Sequence, residues 1–89
     1  MPTENIQWEP TAKRKYDEMI QKMPLFHRGI AKEVVDRKAV ENAKARGSAI
    51  IEEADIVRAF FTEVPKSFYS LMVRLFEEVK FNYRQYESK

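Results

Sequence analysis

At 89 residues the chain suffices for one small domain, and 44% hydrophobic with 34% charged residues is the balance of a folded protein. With no cysteine it forms no disulfide, thiolate metal site or cysteine-held iron–sulfur cluster, and only two glycines argue against hairpin-rich strand architecture. Sixteen basic residues against fourteen acidic give a net charge of +2 (pI near 8.9), too balanced to signal nucleic acid by itself.

In chain order, the first helix is expected to start at Trp8-Glu9-Pro10, because proline suits a first turn whose N–H groups have no partner. Ala12, Tyr16, Met19, Ile20 and Met23 then recur at three-and-four spacing between charged residues, until Pro24 ends the helix. A second, long helix is predicted from Phe26 or Gly29 to Arg46. Its buried side would carry Ile30, Ala31, Val34, Val35, Ala39, Val40 and Ala43, with Gly47 as its left-handed terminator. Ser48 to Ile51 is short and β-prone and reads as an extended linker.

The third helix begins near Glu53, with Ile56, Val57, Phe60, Phe61 and Val64 as its apolar stripe. Glu52, Glu53 and Asp55 complement the positive end of its dipole, and Pro65 breaks it. A final helix is predicted from Lys66 to about Tyr86, with apolar residues on more than one side. The expected fold is therefore all-α: a single domain over 1–89, a bundle of about four helices, with a short extended linker between helices two and three.

No apolar run approaches the roughly 18–20 residues that cross a bilayer. Met1-Pro2-Thr3-Glu4-Asn5 also lacks the charged-then-apolar layout of a signal peptide, so a cytoplasmic setting is expected. His27 is the only histidine, and its surroundings match no metal-ligand spacing. Glu52, Glu53 and Asp55 lack the calcium-loop pattern. No phosphate loop or nucleophilic triad is present. The expectation is a non-catalytic chain with no cofactor and no metal.

Several landmarks occur in a compact order: Trp8-x-Pro10-x-Ala12, Met23-Pro24-x-Phe26-x-Arg28, Glu41-x-Ala43-x-x-Arg46-Gly47, then Ile51 and a helix ending in Ala59. The set resembles the small C-terminal domain found in the B subunit of light-independent protochlorophyllide reductase, a nitrogenase-like enzyme. His27 stands where that pattern has an aliphatic residue, and Glu52 where it has a threonine cap.

The resemblance implies a three-helix core over 8–62, extended by a long C-terminal helix over 65–87 that the motif lacks. It also implies an accessory domain that binds nitrogenase-like reductase subunits, another protein, or a tetrapyrrole-like ligand. The positions it marks are Trp8, Pro24, Phe26, Arg28, Glu41, Arg46 and Gly47. Trp8 and Phe26 also read as core, Pro24 as a turn former and Gly47 as a cap. Arg28 and Glu41 read as an ion pair, with each other or with adjacent helices, or as ligand contacts.

Two other functions stand beside this one. Ala45-Arg46-Gly47, Ile51 and the segment Glu53–Ala59 also resemble the loop and last short helix of the histone fold, which implies a small helical DNA-binding protein. The basic residues on the first two helices are interrupted by Glu33, Asp36 and Glu41, however, which favours a solvated face over nucleic acid. The last helix is apolar beyond one stripe, and Phe68, Met72, Phe76 and Val79 would make it a homodimer surface.

Overall fold

The computed structural model describes residues 6–86. The end of the expected last helix at 87, and Met1 to Asn5, lie outside them. The elements are β1 (Gln7–Trp8), α1 (Pro10–Gln21), α2 (Leu25–Ala45), β2 (Ile50–Ile51), α3 (Glu53–Glu63) and α4 (Tyr69–Val79). Single 3-10 turns occupy Lys66–Phe68 and Arg84–Tyr86. This is the all-α bundle of four helices expected, with a short extended link between the second and third.

Local chemistry sets most boundaries. Pro10 opens α1, and the Glu9 carboxylate accepts a hydrogen bond from the Ala12 N–H at 2.7 Å. At the other end, Arg28 reaches back from α2 and donates to the carbonyls of Met23 (3.0 Å) and Gln21 (2.5 Å). α2 ends in a Schellman motif: Gly47 adopts φ +76°, its N–H donates to Lys44, and the Ser48 N–H donates to Ala43. α3 starts with the Glu52 N–H donating to the Asp55 carboxylate at 2.8 Å.

Packing then joins distant segments. β1 and β2 pair in parallel, with Gln7 opposite Ile50 and Trp8 opposite Ile51, so the extended link has a strand partner from before α1. Ala39 and Ala43 are buried and small, which lets α3 lie close against the second half of α2. Tyr16, Met19, Val35, Ile51, Ile56, Val57, Phe60 and Phe76 fill the core.

Several expectations need correction. Phe26 and Ile30 are not core residues: they are 80% and 68% exposed. Trp8 is only half-buried, lying flat against Tyr16 with ring centroids 5.6 Å apart.

The segment after Pro65 is also not one long helix. Lys80 takes the left-handed conformation (φ 69°), and the Phe81 N–H donates back to the Phe76 carbonyl. That reversal returns Phe81 and Tyr83 to the Phe76 ring, at 5.9 Å and 5.5 Å, where both are buried. A continued helix would set Phe81 about 140° round from Phe76, away from the core, and burying a large side chain contributes roughly 1.5–3 kcal/mol. Lys15 secures the reversed segment by donating to the Lys80 carbonyl (3.0 Å) and pairing with Glu53, which accepts from the Asn82 N–H.

Candidate functional site

An apolar groove of about 220 Å³ lies at the α1–α2 corner. It follows from helix lengths. α2 has 21 residues and α3 has 11, and the link between them is short. At 1.5 Å per residue α3 therefore returns only about half-way along α2 before Pro65 turns the chain.

The first half of α2 is left facing the start of α4 across a gap. Its walls are Met23 and Pro24 after α1, Ile30, Ala31 and Val34 on α2, Val64 and Pro65 after α3, and Phe68, Leu71, Met72 and Leu75 around α4. His27 and Glu63 are the only residues with ionisable side chains in that lining.

The rim is also apolar. Leu25 is 75% exposed and Phe68 45%, beside the exposed Phe26 and Ile30. The rings run in sequence: Phe26 lies 4.4 Å from His27, and His27 5.7 Å from Phe68. Among the described residues, no buried polar side-chain atom lacks a hydrogen-bond partner, so no orphaned polar group faces the groove. Among those residues, too, no three His, Asp or Glu side chains converge in a way that could hold a metal ion. No helix among them is long and apolar enough to cross a membrane.

The motif residues divide between the two ends of α2. Pro24, Phe26 and Arg28 share the groove corner, as wall, rim and cap of α1. Arg46, Gly47 and Trp8 serve the opposite end. There Arg46 holds the buried Asp55 carboxylate in a two-point pair at 2.5 and 3.0 Å, and also donates to the Ile50 carbonyl at 3.2 Å. Asn42 adds a hydrogen bond to the Asp55 carbonyl. Glu41 is exposed and pairs with Lys38 at 3.6 Å, not with Arg28.

Of the four residues expected to form a dimer surface on the last helix, Met72, Phe76 and Val79 are buried within the chain, and only Phe68 is exposed. Most of the exposed apolar surface, at Leu25, Phe26 and Ile30, lies instead on α2.

Leu25, Ile30 and Glu63 at the groove were not among the site residues expected from the sequence. A signal for Ile30 exists: at 100° per residue it stands opposite Ala39 on α2, as Phe26 stands opposite Val35. In comparisons with known proteins, the chain matches no family model, no curated protein and no solved structure.

Proposed function

We propose that this chain is a non-catalytic, cytoplasmic interaction domain that docks another protein in the groove at the α1–α2 corner. The observation that carries this is the concave apolar surface itself, with Leu25, Phe26, Ile30 and Phe68 held exposed around it. Exposing such a patch costs solubility, and large patches of this kind mark interaction sites.

Size favours a protein partner over a free macrocycle. Pockets for drug-sized ligands occupy roughly 300–1,000 Å³; this groove is smaller, and would take a few apolar side chains but only the edge of a tetrapyrrole. Charge points away from nucleic acid. Lys13, Lys32 and Lys38 engage Asp17, Asp36 and Glu41, so α1 and α2 present mixed charge in place of one basic face.

The resemblance to the accessory domain of light-independent protochlorophyllide reductase makes nitrogenase-like reductase subunits the first partners to try. The test is amide-resolved NMR titration of the chain with those subunits and, separately, with protochlorophyllide, repeated on Ile30→Asp. Shifts at Met23, His27, Ile30, Val64 and Phe68 with the subunits, lost in Ile30→Asp, support the proposal. No shift with either probe up to about 100 μM would remove the reductase connection.

A further inference from the structure

We infer that the groove also seats a second copy of this chain, in a two-fold dimer in which Phe26 of each copy enters the groove of the other. The inference rests on the groove being a docking site but not on the reductase resemblance. Three observations select this occupant.

The first is shape. Phe26 projects into solvent directly beside the groove, one ring (His27) away from it, and His27 also lines the cavity. An apolar knob next to an apolar hole on one face is self-complementary. A two-fold rotation places each knob over the partner's hole, as a closed isologous contact requires. The volumes agree: an apolar cavity of roughly 150 Å³ holds a benzene ring, so about 220 Å³ accepts a phenyl ring with neighbouring methyl groups.

The second is area. The exposed parts of Phe26 and Phe68 alone amount to roughly 200–300 Å², since an aromatic side chain presents roughly 150–250 Å², and the exposed Leu25 and Ile30 add to it. A standard interface buries about 800 Å² per partner. Together, the patch and the groove walls supply much of that. The third is charge: at +2 overall, two copies repel each other weakly.

The full chain should therefore show a monomer–dimer equilibrium by sedimentation velocity between about 5 and 500 μM. Phe26→Asp should weaken dimerisation about thirty-fold or more, as loss of an interface anchor does, while keeping the helical circular dichroism of the parent and, at low protein concentration where both are monomers, its melting temperature. In a mixed labelled sample, isotope-filtered nuclear Overhauser effects should connect the Phe26 ring of one copy to Leu71 and Met72 of the other.

A wild-type chain that stays monomeric throughout overturns the inference, as does a dimer indifferent to Phe26→Asp. If that monomer still binds the reductase subunits through the groove, the docking proposal stands and only the second copy is excluded. If its groove answers to no probe, both fall.

Discussion

Arg46 and Asp55 show how much one pair of side chains decides. The Asp55 carboxylate is buried, and it accepts from the Arg46 guanidinium at two points and from the Glu52 N–H. It therefore fixes the end of α2 to the start of α3. Replacing it with alanine orphans those donors together, and Asp55→Ala should cost roughly 3 kcal/mol in urea denaturation. A loss under about 1 kcal/mol would mean the pair behaves as a surface bridge.

Tyr16 gives a pH test. Burial first, then its hydrogen bond to Asp36 and the charges of Asp36 and Asp17, push the phenol far above its ordinary range. In the unfolded chain Tyr16 ionises near pH 10. The folded state keeps a proton that the unfolded state releases, so this stability is fully present below pH 10 and falls as pH rises above it. Tyr16→Phe should cost about 1–2 kcal/mol at neutral pH. The gap between the two proteins should then narrow above about pH 10, measured by urea denaturation from neutral to alkaline pH.

Among the elements, α4 and its reversal depart furthest from what the pattern announced. Lys80 occupies a conformation that costs a non-glycine residue about 1–2 kcal/mol, and the burial of Phe81 and Tyr83 offsets it. Lys80→Gly should raise stability by roughly 0.5–1 kcal/mol after the entropy glycine loses on folding, read as a higher denaturation midpoint at unchanged slope. Phe81→Ala should cost about 3 kcal/mol.

Helix starts and stops at Pro10, Pro24, Gly47 and Pro65 were legible because each acts on its own backbone within a turn. The break at Lys80 was not. Its cause lies in the rings of Phe81 and Tyr83, which reach Phe76 only after the chain has turned back, and no glycine marks the place.

At the scale of the whole molecule, two populations of apolar residues should separate in a stability experiment. Phe76→Ala, in the core, should cost about 3–5 kcal/mol. Phe26→Ala and Ile30→Asp, at the groove rim, should stay within about 0.5 kcal/mol of the parent monomer. Thermal and urea denaturation at low protein concentration would show it, and equal losses at both places would mean the rim is part of the folding core.

The sequence by itself determined the all-helical class, the number of helices and the lack of any cysteine chemistry, because composition and three-to-four-residue spacing act locally. Only the tertiary structure decided which apolar stripe of α2 is covered. The periodicity lent Ile30 and Ala39 equal claims to the core, although they face opposite ways on the helix. α3 arrives against Ala39 and ends before it can reach Ile30. The pairing of Gln7–Trp8 with Ile50–Ile51, the Arg46–Asp55 clasp and the groove depend in the same way on which distant segment arrives at a given face, and no local spacing encodes that.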